Sequence, residues 1–309
     1  MIDEAGLPAT GGVEVVPPAG AVEIVEELAH EDVAHRHPEN RLLIVLDVDG
    51  TVLLEDESLS PGIVEAVAEA QRAGHEIMLA TGRSWEATVG VMRVLDIAPE
   101  YAVCSNGAVV MRRDDMDPTH YERFHTETFD ASEVLELLRG HLPDARFLVE
   151  LPDGRRLYTD YLDDWNLHLA ARVEFDELAH QPVSRVVVVA PERSEYDFLD
   201  LVGRIGLNQV SYAVGWTAWL DIAPQGVDKG SALELVREWL GIDPARVLVM
   251  GDGRNDLGMF AWARRHGGRA IAMAQGPREV HDAADEVTLT VEEGGVAAVL
   301  RALDRERGA

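Results

Sequence analysis

The stretch Leu42-Leu43-Ile44-Val45-Leu46-Asp47-Val48-Asp49-Gly50-Thr51 decides the architecture of this chain. Five apolar residues in a row, with no polar residue alternating among them, suit a strand covered on both faces, as in a parallel sheet. The run ends on two aspartates two positions apart and a glycine. Ligands of open α/β sheets collect beyond the carboxyl ends of the strands, so Asp47 and Asp49 stand where chemistry is expected. Asp47 can act as a nucleophile, while Asp49 can manage a leaving-group proton and then activate water. Gly50 lets backbone amides approach an anion. A calcium loop also concentrates aspartates, but it requires further oxygen ligands at fixed positions and flanking helices.

Outward from this stretch the same grammar repeats. A helix is expected over Pro61 to Arg72, with Ser60 as N-cap, Pro61 at the first helical position and Gly74 closing it. Strand Glu76 to Ala80, helix Trp85 to Leu95 and strand Tyr101 to Cys104 continue a right-handed parallel α/β pattern. After about Met111 the pattern changes to helix Ala131 to His141, strands near Arg146 to Glu150 and Arg155 to Thr159, and an irregular stretch around Asp163 to His180. Strand Arg185 to Val189, helix Glu195 to Ile205 and strands near Gln209 to Ala213 and Thr217 to Ile222 follow. Helix-strand-strand thus occurs twice, which suggests a separate α+β unit with a mostly antiparallel sheet. Helix Lys229 to Leu240, strand Arg246 to Met250, helix Asp256 to Arg264, strand Arg269 to Met273 and a helix near Pro277 to Ala284 resume the first pattern. The expected fold is therefore α/β. A Rossmann-like parallel-sheet core is built from residues 41–111 and 223–309, and an α+β cap domain, residues 112–222, is inserted into it. Residues 1–40, rich in Gly, Pro, Ala and Glu, are expected to form a mobile extension or a loosely docked helix around Val22 to Leu28.

A length of 309 residues fits two domains. Hydrophobic residues make up 47% of the chain, but no run of about 18 of them occurs, so a transmembrane helix is not expected. The first basic residue is Arg36, and no charged segment followed by an apolar stretch opens the chain, so a cytoplasmic protein is expected. The single cysteine, Cys104, follows Tyr101-Ala102-Val103 and reads as a buried structural thiol with no catalytic role. A net charge of -29 repels nucleic-acid phosphates, so neither nucleic acid nor membrane is an expected partner. The sequence carries no signal for an oligomeric state. A small anionic substrate would need local positive charge from a metal ion, a lysine or helix N-termini. Of 27 basic residues only Lys229 is a lysine. It is either the survivor of an arginine-rich codon usage or a compact ammonium kept for chemistry.

Three further segments fall at strand ends. Met250-Gly251-Asp252-Gly253-Arg254-Asn255-Asp256 follows Val247-Leu248-Val249 and opens a helix. Magnesium prefers oxygen ligands, so Asp252 with Asp47 and a carbonyl from Asp49 would suffice to hold it, although such a turn can also be a helix cap. Thr81-Gly82-Arg83 offers a hydroxyl and free amides at a helix start, which is equally the chemistry of a plain cap. Lys229 begins a helix after Gly226-Val227-Asp228, where the helix terminus adds partial positive charge. It is expected to line an open cleft and to contribute little packing. His75, His120, His125, His168 and His281 are too scattered for a transition-metal set. Trp216 and Trp219 border a ligand pocket or pack the cap on the core.

Those four segments, in this order, resemble the four motifs of the haloacid dehalogenase superfamily, specifically its Cof-type sugar-phosphatase-like branch, over Arg41 to about Ala298. The resemblance implies a magnesium-dependent (Mg2+) phosphatase acting on small phosphorylated metabolites such as sugar phosphates through an aspartyl-phosphate. It implies Asp47 as nucleophile, Asp49 as general acid and base, and Thr81, with Gly82 and Arg83, as phosphate ligands. Lys229 would neutralise phosphoryl oxygens, Asp252 would bind magnesium with Asp47 and Asp49, and Asp256 would orient the metal or the lysine. Asn255 would contact phosphate, and Asn106 of Ser105-Asn106-Gly107 would touch substrate or the cap hinge. Thr81 lies 34 positions after Asp47, too few for a folded cap, and Lys229 lies 148 positions after Thr81, so the insertion sits in the second gap as in the Cof type. Arg254 stands where many relatives carry an acidic residue, and Ala274-Gln275-Gly276 replaces a commoner Gly-Asn-Ala. Two rival functions fit the same motifs. One is a sugar phosphomutase, which passes the phosphoryl group to a second hydroxyl, and the other is a non-catalytic phosphate-ligand sensor.

Overall fold

The computed structural model describes residues 41–117, 119–161, 169–191, 195–205, 207, 210–214 and 219–307. The expected N-terminal extension, Trp216, His168 and the first residues of the strand expected from Thr217 lie outside them. The described chain runs β1 (Leu43–Leu46), α1 (Ile63–Arg72), β2 (Glu76–Leu79), α2 (Trp85–Val94), β3 (Tyr101–Cys104), β4 (Val109–Arg113) and β5 (Tyr121–Thr126). It continues through α3 (Ser132–His141), β6 (Arg146–Glu150), β7 (Arg156–Tyr158), β8 (Ala170–Arg172), β9 (Arg185–Val189), α4 (Glu195–Ile205), β10 (Val210–Val214) and β11 (Trp219–Pro224). It ends with α5 (Lys229–Trp239), β12 (Val247–Gly251), α6 (Leu257–Arg265), β13 (Arg269–Ala272), α7 (Arg278–Ala283), β14 (Glu286–Val287) and α8 (Gly295–Arg307).

β1 is an interior strand of the first sheet, between β12 and β2, and every residue of it is apolar and buried. That sheet has the order β14-β13-β12-β1-β2, and all its pairings are parallel. Successive side chains on a strand point to opposite faces, and the two faces fill separately. Ile44, Leu46, Ile77, Leu79, Leu248 and Met250 pack against apolar residues of α1, α2 and α8. Leu43, Val45, Met78, Val247 and Val249 pack against Leu233 and Val236 of α5 and Met259 and Phe260 of α6. Each fully buried aliphatic side chain of this kind contributes about 1.5–3 kcal/mol, so the strand ends are held on a stiff platform.

β3 joins this platform through a parallel bridge between Ala80 and Val103. The chain then reverses at Ser105–Gly107, where β4 pairs antiparallel with β3 and β5 antiparallel with β4, an addition that the purely parallel expectation omitted. A second sheet, β10-β11-β9-β6-β7-β8, is antiparallel except between β7 and β8. It encloses its own core, in which Leu135 and Leu138 of α3 and Phe198 of α4 meet Phe147, Val149, Val186, Val188, Leu220 and Ile222. This α+β unit enters the chain between β2 and β12 of the parallel sheet, so it is an insertion. The part with its own sheet and core runs from Ala131 to Ile222, whereas β4 and β5 stay beside β3.

One expected cap is corrected. α1 starts at Ile63 with Gly62 as N-cap, in a left-handed conformation with a φ of 72° that suits glycine, and no side chain caps it. The Ser60 hydroxyl instead donates to the Val291 carbonyl at 2.7 Å, tying the start of α1 to the segment before α8.

Candidate active site

Neighbouring parallel strands bring two of the expected segments together. Asp47 follows the last residue of β1 and donates its backbone N–H to the Met250 carbonyl of β12 at 3.0 Å, so Asp47 and Asp252 leave the sheet side by side. Two glycines make room for this approach. A Cβ on Gly50, which has a φ of 76°, would lie 2.2 Å from Asp252 Oδ2, and one on Gly251 would lie 2.2 Å from Asp256 Oδ2. The third segment arrives on α5, whose N-cap Asp228 accepts from the Ser231 N–H at 2.8 Å. Gly230 lets α5 close on α6, since its Cβ would meet the Gly258 carbonyl at 2.5 Å.

Lys229 Nζ donates to Asp47 Oδ1 at 2.5 Å and to Asp256 Oδ1 at 2.7 Å. The lysine is 0% exposed, contrary to the expectation of an open-cleft side chain with little packing role. Asp47, Asp252 and Asp256 are all buried, and each offers an oxygen within 4.8 Å of the others. Burial raises the Asp47 carboxyl well above the ordinary range, with Asp256 adding to it and Lys229 opposing. Burial and then Asp256 push Asp252 up to about 7. Burial alone would lower the Lys229 ammonium, but Asp256 and Asp47 outweigh it and hold it above its ordinary value. When all three carboxylates are ionised, the single ammonium leaves an excess of negative charge. An all-oxygen donor set without His or Cys fits a hard divalent cation better than zinc or copper.

A pH dependence of stability follows from those protons. Asp47 and Asp252 bind protons in the folded state that the unfolded chain releases above about pH 4, so without a divalent cation stability falls as pH rises from about 4 through about 7. A bound cation replaces the protons, so its stabilising effect grows over the same window. Melting temperature measured between pH 5 and 8 is expected to fall in chelator, to separate progressively from the curve in excess magnesium, and to fall less steeply in Asp252→Asn, where only Asp47 still contributes. A magnesium effect independent of pH would contradict this account.

The remaining expected residues form a second tier. Thr81, fully buried at the end of the second strand, accepts from the Arg83 N–H at 3.0 Å through its hydroxyl, so it caps its own turn. The Arg83 guanidinium reaches Asp49, with Nη2 at 2.5 Å from Oδ1, and Glu57 at 3.1 Å. The Asp49 side chain is 58% exposed and faces Arg83 rather than the three-carboxylate cluster. Gly82 lies against Asn106, which a Cβ would meet at 3.2 Å. Asn255 Nδ2 donates to Asn106 Oδ1 at 3.1 Å, and Asn106 Nδ2 donates to Asp221 Oδ2 at 3.3 Å. Ser105 and Asn106 have φ values of 50° and 52°, a conformation that costs a non-glycine residue on the order of 1–3 kcal/mol. It persists because Ser105 N donates to Arg83 O at 2.9 Å and Asn106 N to Thr81 O at 3.0 Å.

Sequence reasoning missed the inserted domain's share of the site. Arg185 on β9 and Asp221 on β11 form a bidentate pair at 2.5 and 2.7 Å, and that pair holds Asn106. Glu150, fully buried on β6, accepts from Ser105 Oγ at 3.1 Å and from Arg123 Nη2 at 2.9 Å. No local motif marks any of them. Arg185, Asp221, Asn106, Arg254, Asn255 and Tyr212 border one cavity of about 330 Å3. A larger one, about 540 Å3, lies wholly on the inserted domain beside Arg139, Phe147 and Phe175, and none of the expected site residues borders it. Cys104 is buried and its thiol is pushed up to about 12 by that burial, which removes it as a nucleophile. Trp219 packs against Leu148, Val187 and Val189 within the inserted sheet.

The match to known proteins agrees with this geometry. The family model of the haloacid dehalogenase-like hydrolases matches residues 44–300. The chain belongs to that family, in its Cof-type branch, and is an enzyme of the phosphatase class. Phosphatase YwpJ of Bacillus subtilis is 24% identical over 295 residues, covering 84% of this chain and 99% of that protein. The 5-amino-6-(5-phospho-D-ribitylamino)uracil phosphatase YitU of the same organism is 26% identical over 270 residues, covering 84% and 96%. Among solved structures, the subclass IIB sugar phosphatase BT4131 superposes with a TM-score of 0.70 at 18% identity, covering 85% of this chain and 99% of that one. No helix among the described residues is long and apolar enough to cross a membrane.

Proposed function

We propose that this enzyme hydrolyses small phosphorylated metabolites, sugar phosphates foremost, in a magnesium-dependent reaction through a phosphorylated Asp47, and that it does so in the cytoplasm. The observation that carries the reading is the buried contact of Lys229 with Asp47 Oδ1 at 2.5 Å, at the end of β1 and within reach of Asp252 and Asp256. An Asp47 oxygen attacks phosphorus, the ester P–O bond breaks, and Asp49 in its acid form gives its proton to the departing alkoxide. Asp49 then takes a proton from water as the water oxygen attacks phosphorus, the bond from Asp47 to phosphorus breaks, and inorganic phosphate leaves. For this Asp49 exchanges its contact with Arg83 for the substrate, which frees the Arg83 guanidinium to bind a phosphoryl oxygen beside Thr81, Gly82, Asn106 and Asn255. Asp47, Asp252 and the Asp49 carbonyl would hold magnesium, with Asp256 orienting it, and the ion would supply charge neutralisation at the phosphoryl group.

In this reading the segment 112–222 acts as a cap over the core of 41–111 and 223–309. The cavity it shares with the core is lined by polar groups that are paired with one another, chiefly Arg185 with Asp221 and Asn106 with Asn255. Such a lining suits hydroxyl groups better than a second charge. YitU is named for a ribityl phosphate and BT4131 for sugar phosphates, so hydroxylated chains beside the phosphate are common to both names. The net charge of -29 keeps nucleic-acid phosphates away. The test is phosphate release from a panel of sugar and polyol phosphates in magnesium and in excess chelator, with the organic product followed by NMR. Magnesium-dependent release of inorganic phosphate supports the proposal. An isomeric ester without release would make the enzyme a mutase, and binding without turnover of any ester would make it a sensor.

A further inference from the structure

The turn after β13 bears on the carboxylate cluster in a way that the motifs do not record. Gln275 reaches three separate segments from that turn. Its Oε1 accepts from the Val291 N–H at 3.1 Å, ahead of α8. Its Nε2 donates to the Gly50 carbonyl at 2.5 Å, in the loop after Asp47, and lies 3.4 Å from Asp252 Oδ2. The backbone N–H of Val291 can only donate, so the amide oxygen must face it, and this sets the amide orientation without ambiguity. The NH2 group is thereby committed to Gly50 and Asp252. Gly276 brings the same turn against Asp252, since its Cβ would stand 2.8 Å from the Asp252 carbonyl oxygen. Side chain and turn together clamp Asp252 from behind.

We infer that Gln275 is a positioning residue for the cation site. By holding Oδ2 of Asp252 and the carbonyl of Gly50 at once, it fixes which Asp252 oxygen faces Asp47 and Asp256. The inference rests on the proposed reading of Asp47, Asp252 and Asp256 as the site of a divalent cation. Carboxylates that bind cations depend on hydrogen bonds from behind for their direction, and loss of one such partner typically weakens metal binding by about 10- to 100-fold. A side chain one methylene shorter, as in Gln275→Asn, keeps the amide chemistry but cannot span both Val291 and Gly50, so it should rescue only part of the effect.

Isothermal titration of the metal-free full chain with magnesium, in the absence of substrate, measures this directly. Gln275→Met, of similar length but without hydrogen bonds, is expected to raise the magnesium dissociation constant about 10- to 100-fold. Gln275→Asn is expected to fall between it and wild type, with the melting temperature in chelator within a few degrees for all three. A wild-type chain that binds no magnesium would sink the cation site itself. Wild-type binding with an unchanged constant in Gln275→Met would overturn only the role of Gln275. A weakened constant accompanied by a large fall in melting temperature in chelator would also overturn it, by making the residue a structural strut.

Discussion

Turnover of the Asp47→Asn variant is expected to drop by about 10⁴-fold or more, the scale on which loss of a nucleophile acts when the rest of the site persists. Asn is nearly isosteric but has no carboxylate oxygen to attack phosphorus. The variant should still fold, for a reason specific to this site. Burial and the neighbouring Asp256 already hold the Asp47 carboxyl well above its ordinary range, so replacing it with a neutral amide removes a crowded charge. The Asn carbonyl can still accept from Lys229, which keeps its contact with Asp256 at 2.7 Å. Melting temperature in chelator near pH 7.5 is therefore expected to be equal to or above that of wild type. Magnesium binding should weaken, since one of three carboxylates is gone. Single-turnover phosphate release, with trapping of the phosphorylated chain by acid quench, checks both parts. An acid-stable phosphoprotein in wild type and none in the variant is the expected pattern. Turnover within tenfold of wild type would remove Asp47 as nucleophile.

The parts of this molecule legible in its sequence are those with local signals. β1 and β12 were readable because unbroken apolar runs have few uses other than a strand buried on both faces. Lys229, Asp252 and Asp256 were readable because each falls in a short strand-to-helix turn. The β3-β4-β5 sheet was not, since Tyr121–Thr126 alternates half-buried and exposed residues with few aliphatic ones. Ser60 obeyed the usual capping pattern and failed because a glycine two residues later took the N-cap, leaving its hydroxyl to Val291, 231 positions away. The same distance rule explains the site. Arg185, Asp221 and Glu150 sit in strands whose patterns are apolar, and their partners lie 27 to 115 positions off in sequence. Propensity and periodicity report nothing about such pairs. Arg83 reads from sequence as a phosphate ligand, whereas its guanidinium pairs with Asp49 and Glu57, which no local pattern foretells.

Lys229→Arg is the substitution on which composition and structure disagree most. The chain uses arginine at its other 26 basic positions, so composition alone calls the change harmless. The structure places the ammonium in a sealed space between Asp47 Oδ1 at 2.5 Å and Asp256 Oδ1 at 2.7 Å. A point charge with tetrahedral donors can serve two carboxylates from different directions, whereas a planar guanidinium is larger and prefers one carboxylate through its fork. In the proposed mechanism its displaced charge would no longer face the phosphoryl oxygen. Turnover at saturating substrate and magnesium is expected to fall about 100- to 1000-fold, equivalent to roughly 3–4 kcal/mol of transition-state stabilisation. Because Lys229 is 0% exposed, stability should suffer as well, by about 1–3 kcal/mol from overpacking. Lys229→Met separates the two effects. It fits the space but strands two buried carboxylates, a loss of about 3–5 kcal/mol while they are ionised. Lys229 is what opposes the upward shift of Asp47, so without it Asp47 takes up a proton more readily and the deficit shrinks as pH falls. The melting temperature of Lys229→Met should thus approach wild type near pH 5 and fall away from it towards pH 8, while Lys229→Arg keeps a deficit that varies little with pH. Near-equal turnover of wild type and Lys229→Arg would return the lone lysine to codon usage.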